Sequence, residues 1–235
     1  MAGLGGDRDP DLGQIEPRVL AAVSGDVGLT AATQSDDLYA PVAAQIGTDR
    51  PTAKVAVLAA MYGQTSGSAG AALKRMERAY PYALAYLRAA EEAGRAGRDI
   101  RTWGGRRLRL SGPGPVDPAS IETLRIDEST LAAGAVQGLV TGAGRFARNA
   151  VIQGAAAELF KAWAASVRAC LLPLGGRIVL CLHDELLVHV RAEHADATAE
   201  LLNRALASTA RAWAAGSEVR FIADCAIVER WSDAK

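Results

Sequence analysis

The sequence has few cysteines, and their arrangement excludes two kinds of protein. Cys170, Cys181 and Cys225 are the three cysteines among 235 residues, and each stands among apolar neighbours. An odd number of widely spaced thiols fits neither a disulfide framework nor a cysteine metal site. We therefore expect reduced thiols in the protein core and a cytosolic protein.

The chain also lacks long apolar runs and an excess of charge of one sign. No apolar stretch approaches the length that crosses a bilayer, and residues 1–10 lack the apolar core of a signal peptide, so no membrane partner is expected. The 26 basic and 26 acidic residues cancel. A nucleic acid would therefore have to be bound by local basic clusters. One such cluster consists of Arg101, Arg106, Arg107 and Arg109.

What the sequence does contain is typical of a globular α+β protein. Hydrophobic residues make up 50% of the chain and charged residues 22%, which suffices for a sizeable core. The first ten residues are Gly-rich and charged and predict a loose terminus. Strands are expected late in the chain. The predicted helices are 15–23, 37–46, 51–61, 67–93 with a break near Pro81, 145–172 and 192–214. The predicted strands are a hairpin over 177–190, a last strand over 218–228 and a possible hairpin at the end of the connector 94–105.

Three polar residues, His183, Asp184 and Glu185, interrupt the apolar residues of the 177–190 hairpin. Alternating Val and Leu on both sides predict two short antiparallel strands, with Asp184 at the tight bend between them. A carboxylate held at such a bend can bind a metal ion. Taken alone, however, the triplet is more simply a solvated turn.

A second polar set lies on the helix that begins near Pro51, a residue suited to the first turn of a helix. Arg50 and Lys54 are four residues apart, so they project from the same helical face and can clamp one polyanion. The helical frame extends to Tyr62. Arginine offers a planar fork to phosphate oxygens and lysine a compact charge, although two basic residues on a helix are often only a solvated face.

Two further positions carry side chains that could serve an enzyme acting on nucleic acid. Asp11 precedes the first helix, where it either caps that helix or, together with Asp184, holds a pair of metal ions. Arg145, Asn149 and Gln153 form a polar stripe along an apolar helix. Amide side chains can donate to acceptors in a minor groove, but such a stripe is also the usual wet side of an amphipathic helix.

Other motifs in the sequence do not point to a function. Residues 142–147 match the glycine pattern of a dinucleotide-binding fingerprint, yet the strand before it and the acidic residue about twenty positions later are missing. His189 and His194 have no companion ligands at metal-binding spacing. A serine or cysteine nucleophile motif is absent as well.

In their order along the chain, the polar motifs resemble those of the family A DNA polymerases, the bacterial DNA polymerase I group. The similar segments are Asp11-Leu-Gly-Gln-Ile-Glu16-Pro-Arg18 as motif A, Arg50-Pro-Thr-Ala-Lys54 continuing to Tyr62-Gly63 as motif B, Arg145-Phe-Ala-Arg-Asn149-Ala-Val-Ile-Gln153-Gly154-Ala-Ala-Ala-Glu158, and His183-Asp184-Glu185 as motif C. Gly104-Gly105-Arg106-Arg107 and residues 224–235 also have counterparts in the family. The resemblance therefore runs from residue 11 to the end of the chain.

The resemblance implies a fold and a division of the chain. It implies a palm, a small antiparallel sheet backed by helices, over residues 11–34 and 141–235, and mainly helical fingers over 35–140. Residues 1–10 are expected to be a loose segment. We expect the thumb and the exonuclease domain of the family to be absent from this fragment.

The resemblance also implies an activity and its site residues. The expected reaction is DNA-templated DNA synthesis in replication or repair, with primer-template DNA and deoxynucleoside triphosphates as partners and two Mg²⁺ ions as cofactors. Asp11 and Asp184 would bind the metals, with Glu185 beside them as a third catalytic carboxylate. The nucleotide would be contacted by Glu16, Arg50, Lys54 and Tyr62, and Glu16 would screen against a ribose 2′-hydroxyl. The duplex would be contacted by Arg145, Asn149, Gln153 and His183.

The sequence departs from the family pattern at three places. Leu58-Ala59 stand where motif B carries an aromatic residue and glycine, and Tyr39 stands where a histidine usually contacts the triphosphate. Asp11 follows a Gly-rich segment where an apolar strand is usual, so we expect that strand to be lost. Two alternatives stay open: a catalytically impaired remnant with at most weak DNA binding, and a separate polypeptide that supplies the thumb.

Overall fold

The computed structural model describes residues 2–3, 14–63, 69–110, 130–182 and 184–234. Within these ranges the chain is rich in helices and has two small antiparallel sheets, which confirms the predicted α+β class. The first six helices are α1 (Ile15–Ser24), α2 (Val27–Ala32), α3 (Tyr39–Ile46), α4 (Arg50–Tyr62), α5 (Ala69–Ala79) and α6 (Pro81–Arg95).

Local sequence signals explain where several of these helices begin and end. Asp49 caps α4 by accepting a hydrogen bond from the Thr52 amide, and α4 ends at Gly63 in the left-handed conformation (φ 69°). Pro81 occupies the first position of α6, so the predicted break near this residue separates α5 from α6.

Helix α2 was not predicted, although its cap is local. Asp26 accepts a hydrogen bond from the Leu29 amide at 3.0 Å and thereby caps α2. Its other carboxylate oxygen accepts hydrogen bonds from the amides of Tyr82 and Ala83, each at 3.1 Å, at the start of α6. One buried aspartate thus caps two helices that are more than fifty residues apart in the chain.

The longest helix, α7 (Thr130–Leu171), begins fifteen residues before the predicted start at residue 145. At 42 residues it spans roughly 63 Å. Gly142 and Gly144 lie inside this helix and not at a strand-to-helix turn, in agreement with the rejection of a dinucleotide fingerprint. Gly94 of α6 lies so close to α7 that a Cβ atom there would be 2.5 Å from the Ala143 carbonyl oxygen. Glycines along these helices therefore permit their close packing.

The main sheet has the strand order β4-β5-β1-β6, formed by β1 (Ala2–Gly3), β4 (Arg177–Leu182), β5 (Glu185–His189) and β6 (Ala226–Ile227). Ala2 pairs with Val188 on one side and with Ile227 on the other. The predictions of a loose terminus and of a lost strand are therefore wrong at these two residues. Ala2 and Gly3 form the strand between β5 and β6. The last strand is also shorter than predicted, since within 218–228 only residues 226–227 are paired.

A second sheet consists of β2 (Ile100–Arg101) and β3 (Arg107–Leu108), which form the hairpin predicted at the end of the basic connector. Its tip is bound to α7 by Glu158, which accepts hydrogen bonds from the Gly104 amide at 2.7 Å and from the Thr102 hydroxyl. Helix α8 (Ala195–Trp213) and short 3₁₀ turns at Leu172–Leu174, Ala192–His194 and Trp231–Ala234 complete the described elements.

The core joins α1, α3, α4, α6, α7, α8 and β5. Trp163 of α7 is fully buried and donates its indole N–H to the Leu202 carbonyl at 3.0 Å. The prediction of buried thiols is wrong for Cys170 and Cys181, which are exposed, whereas Cys225 is partly buried. Among the described residues, no helix is both long enough and apolar enough to cross a bilayer.

Candidate active site

A pocket of about 410 Å³ lies where α1, α4, α7 and the β4–β5 turn meet. Its lining combines an apolar wall with four polar side chains that the sequence placed in separate motifs. The lining residues are Ile15, Glu16, Leu58, Tyr62, Gln153, Ala156, Ala157, Phe160 and Asp184. Four of the predicted site residues, Glu16, Tyr62, Gln153 and Asp184, therefore share one cavity.

Asp184 stands at the bend of the β4–β5 hairpin, as predicted. Leu182 pairs with Glu185 across the bend, so the turn contains two residues. Leu186 and Val188 of β5 are fully buried and hold the hairpin against the core, while Asp184 is half-buried at the pocket. Glu185 begins β5 and does not line the pocket. The other residue of the turn, His183, lies outside the described residues.

Three polar side chains form a chain of contacts across the pocket. The Tyr62 hydroxyl donates to the Glu16 carboxylate at 3.4 Å and accepts from the Gln153 amide at 3.5 Å. Both distances are at the long end of the hydrogen-bonding range, so the contacts are weak. The chain links α1, α4 and α7 at the mouth of the pocket.

Helix α4 carries the two basic residues beyond the pocket. Leu58 and Tyr62 line the cavity, whereas Arg50 lies two turns closer to the helix N-terminus, roughly 12 Å along the axis from Leu58. Lys54 lies between them and is half-buried. A polyanion that extended from the pocket along α4 would therefore meet Lys54 and then Arg50, near the positive end of the helix dipole.

Arg50 is held by an acidic side chain that the sequence did not single out. Its guanidinium donates from Nε and Nη2 to the Asp37 carboxylate at 2.5 and 3.3 Å. The Cζ atom of Arg50 also lies 5.6 Å from the ring centroid of Tyr39, which is buried. Burial alone would raise the pKa of Asp37, but hydrogen bonds from Arg50 and Gln14 outweigh it and bring this pKa below its usual value.

The predicted duplex-binding stripe follows one side of α7. Arg145 and Gln153 are exposed and Asn149 between them is half-buried, so the stripe leads from solvent to the pocket. Gly63, at the end of α4, lies against Arg145, since a Cβ atom on this glycine would be 3.2 Å from the Arg145 Cγ. The stripe therefore begins beside the end of α4 and reaches the pocket at Gln153.

Arg148 precedes Asn149 of the stripe in the sequence but faces the interior of the protein. It was assigned no role from the sequence. Its side chain is 7% exposed, pairs with Glu91 of α6 at 2.7 Å, and donates from Nε to the Ala60 carbonyl of α4. Ala60 is in the last turn of α4, where carbonyls lack a partner within the helix. Arg148 thus ties the end of α4, and with it Tyr62, to α6 and α7. No feature of the sequence distinguishes the buried Arg148 from the exposed Arg145 on the same helix.

Arg18 of α1 was quoted in motif A without a role, and the structure makes it an anchor. The fully buried guanidinium donates to the carbonyls of Thr33, Ser35, Asp36 and Arg220 at 2.6 to 2.9 Å. Burial lowers its pKa to about 10, aided by the nearby charge of Arg220, so it stays charged at neutral pH. By fixing residues 33–36, Arg18 sets the position of Asp37 and hence of the carboxylate beside Arg50.

The pocket offers carboxylate oxygens of the kind that Mg²⁺ prefers. Asp184 and Glu16 both line it, and hard cations are bound by such oxygen ligands. Asp11, the other predicted ligand, lies outside the described residues. Within the ranges that the structure describes, no three His, Cys, Asp or Glu residues cluster closely enough to hold a metal ion. The donor chemistry of Asp184 therefore fits a magnesium site of which the described residues supply one predicted ligand.

The fold of the chain matches that of a solved polymerase domain. The structure titled POL domain of Pol1 from M. smegmatis, a complex with DNA primer-template and dNTP, superposes with a TM-score of 0.71 at 23% identity and covers 99% of this chain and 40% of that one. The fold is thus that of a polymerase domain, a palm sheet with helical fingers.

Sequence similarity defines the family. The model of DNA polymerase family A matches residues 9–233. DNA polymerase I of Chloroflexus aurantiacus is 30% identical over 224 residues, covering 86% of this chain and 22% of the relative. A thermostable DNA polymerase I of Thermus filiformis is 30% identical over 211 residues, which cover 80% of this chain and 23% of the relative. DNA polymerase theta of Caenorhabditis elegans is 28% identical over 210 residues, which cover 83% of this chain and 12% of the relative.

The chain belongs to DNA polymerase family A. It spans less than a quarter of the length of these relatives.

Proposed function

We propose that this chain carries out DNA-templated DNA synthesis, adding a deoxynucleoside monophosphate to a primer 3′-hydroxyl with release of pyrophosphate. The observation that carries the proposal is the pocket, in which Glu16, Tyr62, Gln153 and Asp184 come together from four separate motifs of family A. A solvated turn or a wet helical face would not require these side chains to converge. Family membership makes primer-template DNA and deoxynucleoside triphosphates the proposed partners.

Asp184, together with Asp11, would hold two Mg²⁺ ions. A metal pair at these carboxylates would supply activation of the attacking 3′-oxygen and stabilisation of the leaving oxygen in an in-line displacement. Glu185 lies beside the turn and contributes negative charge near the proposed metal ligands. The hairpin that carries Asp184 is held against the core by the buried Leu186 and Val188 of β5.

The side chains of α4 would bind the nucleotide. Lys54 and Arg50 neutralise the triphosphate along the helix, a stabilisation by positioned cations that is typical of phosphoryl transfer. Tyr62 closes the pocket at the template base, where its hydroxyl makes weak contacts with Glu16 and Gln153. Glu16 then lies where it can exclude a ribose 2′-hydroxyl.

The stripe on α7 would position the primer-template duplex. Gln153 and Asn149 can donate to minor-groove acceptors, which all base pairs present, and Arg145 can pair with phosphate. His183, next to Asp184, is proposed to lie near the primer terminus.

A second candidate function is DNA binding without efficient synthesis. Leu58 in the pocket wall favours it, since an aliphatic side chain stacks less well on a base than the aromatic residue usual at this place in motif B. Such a protein would bind a primer-template duplex in a strongly salt-dependent manner and extend it poorly.

Primer extension with Mg²⁺ tests the proposal. We expect template-dependent extension by the chain and a loss of at least about 100-fold in the Asp184→Asn variant, the scale of losing one positioned catalytic group. Asp196→Asn is the matched control, because this exposed carboxylate at the start of α8 is lost with the same change in charge. Extension that survives Asp184→Asn would overturn the assignment, and duplex binding without extension by the wild-type chain would favour the second candidate.

A further inference from the structure

The side chain proposed to bind the triphosphate, Arg50, is already bound to a carboxylate. Asp37 takes the Nε and Nη2 atoms, one of the two edges through which a guanidinium binds phosphate in a bidentate manner. Arg50 is 51% exposed and Asp37 30% exposed. A phosphate arriving from solvent can therefore reach the guanidinium, and to bind it through the Nε and Nη2 edge it must replace Asp37.

Asp37 has hydrogen-bond donors other than Arg50. Its Oδ1 atom accepts hydrogen bonds from the Gln14 side-chain amide at 2.8 Å and from the Tyr39 backbone amide at 3.2 Å. The short contact with Arg50 is made by the other oxygen, Oδ2. The Gln14 carbonyl in turn accepts from the Leu38 amide at 2.8 Å. The carboxylate is thus held by the Gln14 side chain and the Tyr39 amide in addition to Arg50.

We propose that Asp37 competes with the nucleotide triphosphate for Arg50 and thereby lowers the affinity of the resting protein for nucleotide. This inference rests on the proposed function of Arg50 as a phosphate ligand. Binding of a triphosphate would transfer the Nε and Nη2 edge of Arg50 from Asp37 to phosphate oxygens. Asp37 would keep its bonds to Gln14 and Tyr39 and expose Oδ2 to water.

Competition explains the geometry better than simple orientation of Arg50 by Asp37. A carboxylate that only oriented the guanidinium would be expected to leave the phosphate-binding edge of Arg50 free. It would also be expected to lie away from the incoming anion, which it would otherwise repel. Asp37, whose side chain is 30% exposed, instead occupies the Nε and Nη2 edge of Arg50 itself. Tyr39 already supports Arg50 from a second side.

The first experiment measures the Arg50–Asp37 contact without any ligand. The full chain and its Asp37→Asn variant are treated with phenylglyoxal, and the modification of individual arginines is followed by peptide mass spectrometry. We expect Arg50 to react about two- to fivefold faster in Asp37→Asn, the factor that corresponds to a partly exposed ion pair. Arg88, paired with the exposed Glu77 at 3.0 Å, is the internal control and should react at an unchanged rate.

The second experiment measures affinity for tripolyphosphate and for dATP, each with Mg²⁺, by calorimetric titration. Asp37→Asn should bind both probes about two- to fivefold more tightly than the wild-type chain, for the same reason. Asp49→Asn is the matched control, because it removes one negative charge next to Arg50 while asparagine still caps α4. In an Arg50→Gln background, Asp37→Asn should have no effect.

The results separate the two proposals. If Arg50→Gln binds the probes as tightly as the wild-type chain, or if the wild-type chain and Asp37→Asn bind neither probe, the phosphate-binding role of Arg50 is wrong and the competition falls with it. If Arg50→Gln weakens binding but Asp37→Asn leaves affinity unchanged or lowers it, only the competition is refuted. An unchanged rate of Arg50 modification in Asp37→Asn also refutes it. Tighter binding in Asp49→Asn to the same degree would mean that general charge, and not the contact with Arg50, causes the effect.

Discussion

Replacing Arg148 with methionine should destabilise the protein strongly, and a second substitution should rescue most of the loss. Methionine keeps much of the side-chain length but removes the charge that pairs with Glu91 and the donor that binds the Ala60 carbonyl. The pair is largely buried, with 7% of Arg148 and 17% of Glu91 exposed. Breaking a buried pair on one side costs more than the pair itself contributes, because it leaves an uncompensated charge.

The expected magnitude follows from the two lost contacts. Removal of one partner of a buried ion pair costs about 3–5 kcal/mol. Here Glu91 keeps a contact with Arg95, which reduces this cost, while the orphaned Ala60 carbonyl adds about 1–3 kcal/mol. We therefore expect Arg148→Met to lower the free energy of unfolding by about 3–5 kcal/mol. For a chain of this length that corresponds to a fall in Tm of about 6–20 °C.

Urea unfolding followed by circular dichroism tests this expectation with four variants. Glu91→Leu alone should cost about 3–5 kcal/mol, because it leaves the Arg148 charge buried. The double variant Arg148→Met/Glu91→Leu should lose only about 1–3 kcal/mol, the part due to the Ala60 carbonyl. Arg95→Met is the control, since it removes the half-exposed partner of the same carboxylate and should cost about 0.3–0.5 kcal/mol.

The decisive observation is non-additivity. If the double variant loses the sum of the two single losses, or if Arg148→Met changes stability by less than about 0.5 kcal/mol, the buried pair does not tie α4 to α6 and α7 as described. A confirmed result would also bear on activity, because Arg148 holds the end of the helix that carries Tyr62 into the pocket.

Two further predictions concern helix packing and thiol reactivity. Gly94→Ala should destabilise the protein by about 1–3 kcal/mol in a thermal unfolding assay, since its Cβ would lie 2.5 Å from a backbone oxygen of α7. In the same assay Gly142→Ala should stabilise it by about 0.5–1 kcal/mol, because no atom lies within 4 Å of the new Cβ. Equal effects of the two substitutions would contradict the packing described. Burial raises the pKa of Cys225 to about 11. Because the thiolate is the nucleophile, alkylation of Cys225 by iodoacetamide should be slow at pH 8 and should accelerate as the pH rises towards 11. Exposed Cys170 and Cys181 should be accessible at pH 8, and equally fast alkylation of Cys225 in the folded chain would refute the role of burial.

Short-range signals in the sequence were sufficient for most of the secondary structure. The cap at Asp49, the proline after it and the glycine at residue 63 define α4, and each of these acts within one helical turn. The hairpin around Asp184 was likewise predictable, because alternating apolar residues and a polar bend are local features. The α+β class follows from the same patterns.

Long-range partners explain what the sequence did not show. Asp26 follows the first predicted helix in the sequence, but it also caps α6 through contacts with Tyr82 and Ala83, more than fifty residues away. The start of α7 was placed too late, and of the glycines described in it only Gly144 is closely packed against α6, where a Cβ atom would be 3.1 Å from the Glu91 carbonyl oxygen. Ala2 and Gly3 have no strand signal and form a strand because two neighbouring strands supply hydrogen-bond partners.

The sequence by itself thus determined which residues could do chemistry and which local elements carry them, since spacing and capping depend on neighbours in the chain. Only the tertiary structure decided which of those residues meet. It brought Glu16, Tyr62, Gln153 and Asp184 to one pocket, paired Arg50 with Asp37, and turned Arg148 inward to Glu91. The physical reason is that an ion pair or a hydrogen bond requires a separation of about 3 Å in space, and no pattern along one chain specifies which distant residues reach it.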